Sequence, residues 1–96
     1  MAENKVMVSV IIPTYNRKEQ LRKCLNSLVN QTFKDFEVIV CDDGSTDNSS
    51  EIIPLFQDKL NIFYHFGENW GGPAKPRNTG IRMSNGEFIC FLDSDD

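Results

Sequence analysis

Ninety-six residues suit one small domain and leave no room for a second complete one. An apolar fraction of 40% and a charged fraction of 25% are those of a folded globular chain, which excludes disorder and collagen-like repeats. A net charge of −4 gives no electrostatic ground for a nucleic-acid partner, and a phosphorylated small molecule would need local cations or a divalent metal as intermediary.

The opening MAENKVMVSVIIP lacks a basic segment followed by a long apolar one, and no stretch approaches the length of a membrane span. The cytoplasm is therefore the default location, with peripheral membrane attachment left to regions outside this chain. Val6 to Ile12 is a short, β-branched run bounded by Pro13 and reads as a strand buried on both faces. A helix follows: Asn16 can cap it, Glu19 can reach back to complete a capping box, and Leu21, Cys24, Leu25, Leu28 and Val29 share one stripe before it ends near Asn30. Phe36 to Cys41 is a second buried strand, left through the turn Asp42-Asp43-Gly44-Ser45.

A shorter helix is expected from Asp47, carrying Ile52, Ile53 and Phe56, with Pro54 kinking it or cutting it short. Leu60 to Phe66 reads as the third strand and 67–73 as a glycine-rich loop. A third helix runs from about Pro76 to Met83, Asn85-Gly86 turns the chain, and Phe88 to Leu92 is the fourth strand. Cys24, Cys41 and Cys90 are odd in number and sit in apolar stretches, which predicts buried thiols rather than disulfides.

The order β-α-β-α-β-α-β with short connections predicts an α/β fold, a parallel sheet with helices on its faces. In such sheets ligands bind beyond the carboxyl ends of the strands, where the strand order reverses. Pro13-Thr14-Tyr15-Asn16, Asp42-Asp43-Gly44-Ser45 and Asp93-Ser94-Asp95-Asp96 all fall at such ends. Carboxylates two apart, Asp93 and Asp95, can hold Mg²⁺ or Mn²⁺ through oxygen, or form a solvated turn that caps a further helix. Asp43 can accept hydrogen bonds from a base N–H or a ribose hydroxyl, or serve only the turn. Asp47 reads as a group that satisfies backbone N–H donors at a helix start. Lys75 and Arg77 lie near a helix start, where an anion would sit, or merely balance the acids. His65, without a second His or Cys at ligand spacing, reads as structural.

Together VSVIIPTYNR, FEVIVCDDGSTDNS, NWGGPAKPRNTGI and NGEFICFLDSDD resemble, in order and spacing, the nucleotide-sugar half of family 2 glycosyltransferases with the GT-A fold. The likeness covers Val8 to Asp96, so residues 1–96 are expected to be a single, truncated nucleotide-sugar-binding domain with a Rossmann-like βαβαβαβ sheet. The resemblance implies that Pro13, Thr14, Tyr15 and Asn16 border the nucleotide, that Asp43 reads the base while Asp42 supports the turn, and that Arg77 lies near base and diphosphate, with Asn78 and Gly80 forming a close-packed helix start beside it. It places Asp93 by the ribose, and Asp95 on a divalent metal, Mn²⁺ or Mg²⁺, with Asp93 beside it. The implied reaction moves a sugar from a nucleoside-diphosphate sugar, UDP first among them, to an acceptor glycan or lipid-linked glycan, with inversion.

Family members continue past the D-x-D into an acceptor-binding half that holds the catalytic base, so this chain supplies no base and is expected to be inactive alone. Two other readings share these residues. One is a metal-dependent nucleotidyl- or phosphotransferase. The other is a non-catalytic interaction module, in which the Phe88 to Leu92 strand leaves an apolar sheet edge able to pair with another chain.

Overall fold

The computed structural model describes residues 6–68 and 74–93. The elements are β1 (Val6–Thr14), α1 (Lys18–Val29), β2 (Phe36–Asp42), a 3₁₀ helix (Ser49–Phe56), β3 (Ile62–Phe66), α2 (Ala74–Met83) and β4 (Gly86–Phe91). The strands form one sheet in the order β3-β2-β1-β4, every neighbouring pair parallel. From β1 the chain steps outward to β2 and β3, then returns through α2 to the far side of β1. The reversal of direction thus falls between β1 and β4, where a parallel sheet opens a crevice at its carboxyl edge.

Strand alternation divides the side chains between two layers. Val10, Ile12, Phe36, Val38 and Val40 meet Leu21, Cys24, Leu25 and Leu28 of α1 and Ile52, Ile53 and Phe56 of the 3₁₀ helix, forming the larger core. On the other face Ile11, Ile39 and Cys41 pack with Met83 of α2. Helix α2 comes close because Gly80 has no side chain: a Cβ there would lie 2.5 Å from Cγ2 of Ile11. At the amino edge of this face, Glu37 and Ser9 are buried polar residues that reach the turn between α2 and β4.

Several boundaries differ from expectation. Strand β1 continues through Pro13 to Thr14, because its pairing with β4 ends at Ile11 opposite Phe91 while its pairing with β2 continues. By alternation the N–H that Pro13 lacks would face β4, beyond the last pair, so the ladder loses nothing. Strand β3 starts at Ile62 rather than Leu60, although Leu60 is still buried in the larger core. The segment after Asp47 forms a 3₁₀ helix with Pro54 inside it, a proline that an α-helical ladder would tolerate poorly.

The expected Asn16–Glu19 capping box does not form. Arg17 occupies the N-cap without capping the helix through its side chain, Asn16 is left-handed at φ 51°, and Glu19 instead pairs with Arg22 at 3.0 Å. The free helix donor is satisfied from another loop: Lys18 N–H donates to Asp47 Oδ2 at 3.0 Å. Cys24 and Cys41 are buried as expected, whereas Cys90 is exposed, because β4 pairs only with β1 among the described residues. For the same reason Phe88, Ile89 and Phe91 of β4 are exposed apolar side chains. No helix among the described residues is long and apolar enough to cross a membrane.

Candidate functional site

The carboxyl edge is built in part from the turns that leave β1, β2 and β3, which are tied to one another by hydrogen bonds between residues far apart in sequence. Beyond the last β1–β2 pair, Asp43 N–H donates to Thr14 O at 2.9 Å, and Gly67 N–H donates to Asp42 O at 2.7 Å. Asn16 N–H donates to Ser45 Oγ at 2.7 Å, and in return Asn16 Oδ1 accepts the Thr46 N–H at 2.7 Å. The left-handed conformation of Asn16, which asparagine tolerates better than most residues, turns both groups toward the second loop. Asn16 therefore joins the first and second turns.

Neighbouring aspartates in the second turn have different surroundings. Asp42, 1% exposed, accepts Ser45 N–H on Oδ1 at 2.8 Å and the Tyr64 hydroxyl on Oδ2 at 2.6 Å. Both of its oxygens thus serve the turn. Burial, with the hydrogen bond and negative charge of Asp42, pushes the Tyr64 phenol well above its ordinary pKa. Asp43, 5% exposed, follows on from the strand at the position expected to meet a ligand. Next to them Asp47 accepts Ser49 N–H at 3.1 Å, the Ser49 hydroxyl and Lys18 N–H. Partial burial raises its pKa, but these hydrogen bonds to the ionised form outweigh that effect and the carboxyl lies below its ordinary value.

Across the strand reversal, the early part of α2 meets the end of β4. Arg77 Nη2 lies 3.6 Å from Asp93 Oδ1, and its guanidinium carbon sits 5.7 Å from the Phe91 ring centroid, within cation–π range. Nε of Arg77 is buried and has no hydrogen-bond partner. Pro13 and Thr14 end β1 and are buried, while Tyr15 is 41% exposed at the mouth of the first turn. Pro13, Thr14, Tyr15, Asn16, Asp43, Arg77 and Asp93 thus all lie at the carboxyl edge, on both sides of the reversal. Asp95, and residues 69–73 of the expected glycine-rich loop, lie outside the described residues.

A carboxylate pair two apart is oxygen chemistry that suits a hard divalent cation, and of the expected pair Asp93 lies at this edge among the described residues while Asp95 lies outside them. Among the described residues no group of three or more His, Cys, Asp or Glu could hold a metal. An open cleft of about 410 Å³ flanks the second turn on the β3 side, lined by Ser45, Asn48, Ser49, Ser50, Tyr64 and Phe66. None of the residues expected to bind nucleotide lines it. Two pairings were not foreseen from the sequence, Tyr64 with Asp42 and Ser45 with Asn16. No local signal marks either pairing, since both partners come from distant parts of the chain.

A parallel four-stranded sheet with this reversal, and with acids and an arginine gathered at its carboxyl edge, is a Rossmann-like α/β fold of the GT-A type. Residues 9–96 match the Glycosyl transferase family 2 model, and the chain belongs to that family. It is 46% identical over 91 residues to the poly(ribitol-phosphate) beta-N-acetylglucosaminyltransferase TarS of Staphylococcus aureus, covering 92% of this chain and 16% of that protein. The crystal structure of S. aureus TarS 1–349 in complex with UDP-GlcNAc superimposes with a TM-score of 0.89 at 44% identity, covering 93% of this chain and 26% of that one. A mannosyltransferase from Pyrobaculum calidifontis, in complex with GDP-Man and Mn²⁺, has a TM-score of 0.86 at 26% identity over 98% of this chain and 29% of its own. The chain thus spans about a sixth of the length of TarS.

Proposed function

We propose that this chain is the donor-binding region of a glycosyltransferase that takes a sugar from a UDP-sugar, in the presence of a divalent metal, to an acceptor hydroxyl on a glycan or lipid-linked glycan. The observation that carries the reading is the placement of a buried Asp43 on one side of the strand reversal and the Arg77–Asp93 pair on the other. The likeness to TarS with UDP-GlcNAc supports a uridine donor.

In this reading Asp43, held by the Thr14 carbonyl, accepts an N–H of the base, while Pro13, Thr14 and Tyr15 border the ring. Asn16 acts indirectly, by fixing the second turn. Arg77, oriented by Asp93 and Phe91, binds the diphosphate with its outward N–H donors, and a fork of this kind suits paired phosphate oxygens. Asp93 lies by the ribose and, with Asp95, holds Mn²⁺ or Mg²⁺. The metal, when bound, neutralises charge on the departing nucleoside diphosphate. No residue of the chain is assigned as the base that takes the acceptor proton.

Calorimetry tests this directly. UDP is expected to bind in the presence of Mn²⁺ and to bind more weakly after chelation, and Asp43→Ala and Arg77→Ala should each weaken binding by about tenfold or more, as expected for hydrogen bonds to charged groups. Flat titrations with a demonstrably folded protein would overturn the reading.

The outer edge of β4, which pairs with no further strand among the described residues, with Phe88 62% exposed, favours a second property, self-association by strand pairing. Light scattering after size exclusion should show dimers or larger species at high concentration. A clean monomer would rule them out.

A further inference from the structure

A buried carboxylate at the opposite edge of the sheet has no part in the site described above. Glu37, at the start of β2, is 1% exposed and Ser9, its neighbour on β1, is 0% exposed. Ser9 Oγ donates to Glu37 Oε2 at 2.6 Å, and the same carboxylate oxygen accepts the Asn85 backbone N–H at 2.6 Å. Asn85 Nδ2 approaches Oε1 at 3.4 Å. Ser9 Oγ in turn accepts the Gly86 N–H at 2.8 Å. Two successive backbone N–H groups, where α2 has ended and β4 begins, are therefore satisfied by one carboxylate and its serine relay. Gly86 also lets the turn press against β1, since a Cβ there would lie 2.6 Å from Ser9 N.

The composition of β4 shows why such a clamp matters. Phe88, Ile89, Cys90 and Phe91 present apolar groups to both faces, and none of them is buried. A strand's register is fixed by its hydrophobic pattern only when one face is apolar and the other polar; here a slip of one residue would exchange one set of apolar side chains for another. The same slip would carry Phe91 and Asp93 away from Arg77. The clamp is specific where the hydrophobic pattern is not, because its donors belong to two fixed backbone positions. It also holds the end of α2, whose other end carries Arg77.

We propose that Glu37, acting through Ser9 and Asn85, is a positioning residue: it sets the register of β4 and the seating of α2, and so places Asp93, four residues beyond the level of Glu37 and thus roughly 13 Å further along the sheet, together with Arg77 beside it. The role rests on the donor-site reading for its functional consequence but not for its structural one. Glu37 touches no ligand. It acts on the half of the site carried by α2 and β4, and leaves the half carried by β1 and β2, including Asp43, in place.

The test compares Glu37→Leu, Ser9→Ala and the conservative Glu37→Gln in the protein by amide hydrogen exchange and by UDP calorimetry with Mn²⁺. Glu37→Leu should lower protection of the Leu92 amide, bonded to Ile11 O at 3.0 Å, by about tenfold relative to the Asp43 amide, bonded to Thr14 O at 2.9 Å. Ser9→Ala should act in the same direction and remain informative if Glu37→Leu does not fold. Glu37→Gln, whose amide oxygen can still accept from Ser9 and Asn85, should restore most of the protection. In binding, the loss caused by Glu37→Leu, or by Ser9→Ala in its place, should largely vanish in an Arg77→Ala/Asp93→Ala background and persist in an Asp43→Ala background. Equal loss of protection at both amides, or equal affinity loss in both backgrounds, would reduce Glu37 to a general contributor to stability and overturn the proposal. Absence of UDP binding in the unmodified protein would sink the donor-site reading instead, and the exchange pattern would still decide the clamp.

Discussion

Replacing Gly80 by alanine sets two effects of opposite sign against each other. In an exposed helix, alanine is favoured over glycine by about 1 kcal/mol. Here the new methyl would lie 2.5 Å from Cγ2 and 3.1 Å from both Cγ1 and Cδ1 of Ile11. Ile11 is 0% exposed and lies on β1, which is paired on both sides, so it has no room to withdraw. Overpacking of this kind costs about 1–3 kcal/mol. A contact this short with a branched, immobile side chain belongs in the upper half of that range, which leaves Gly80→Ala destabilised by about 1–2 kcal/mol after the propensity gain. The assay is urea denaturation followed by circular dichroism, with a thermodynamic cycle. Ile11→Ala alone should cost about 2–5 kcal/mol, but adding Gly80→Ala in that background should stabilise, because the methyl then enters the space that Ile11 has left. The reasoning is refuted if Gly80→Ala raises stability in the unmodified protein, or if its effect is the same in both backgrounds.

Other outcomes follow from the hydrogen bonds of the carboxyl edge. Asp47→Ala removes the acceptor of Lys18 N–H and of the Ser49 backbone and hydroxyl, and should cost about 1–2 kcal/mol in a denaturant titration, the range of a lost helix cap. Because the Asp47 carboxyl is held below its ordinary value of 3.8, its contribution is fully present above that value and is lost as pH falls through the lower, folded-state value. The gap in stability between wild type and Asp47→Asn should therefore narrow below about pH 4. Tyr64→Phe removes the hydroxyl donor to Asp42 Oδ2 and should cost about 1–2 kcal/mol at neutral pH. The raised Tyr64 pKa adds an alkaline signature: its contribution is present below about pH 10 and falls as pH rises further, so wild type should lose stability there more steeply than Tyr64→Phe in pH-dependent melting curves. Among the thiols, Cys90 should react first with a chromogenic disulfide under native conditions. Cys41, buried and pushed up to about 11 by desolvation, should react only on unfolding; labelling followed by mass spectrometry distinguishes the two.

Much of the fold was legible because its signals are local. The β-branched runs at Val6 to Ile12 and Phe36 to Cys41 and the stripe of Leu21, Cys24, Leu25 and Leu28 each report their own burial through periods of two and 3.6 residues. Alternation of strand and helix then made the sheet parallel, and parallel strands deliver their carboxyl ends, with Thr14, Asp43 and Asp93, to one edge. The misplaced features have a common cause. Asn16 and Glu19 have the spacing of a capping box, yet once Asn16 turns left-handed to hold the second loop it cannot cap its own helix. Cys90 sits in an apolar run, yet exposure depends on what lies beside the strand, which the run itself does not record.

The amino-acid pattern alone was enough to determine the α/β class, the parallel order, the family and the edge at which the polar residues meet, because chain geometry propagates local periodicity into those properties. Only the tertiary structure decided which acid does what. Asp42 is committed to Tyr64, 22 residues away, Asp47 caps a helix 29 residues upstream, and Glu37 holds a turn 48 residues downstream. A carboxylate on its own sequence position is a generic acceptor. Its role is set by the donors that folding brings within about 3 Å of it, and such donors leave no mark in the neighbouring residues.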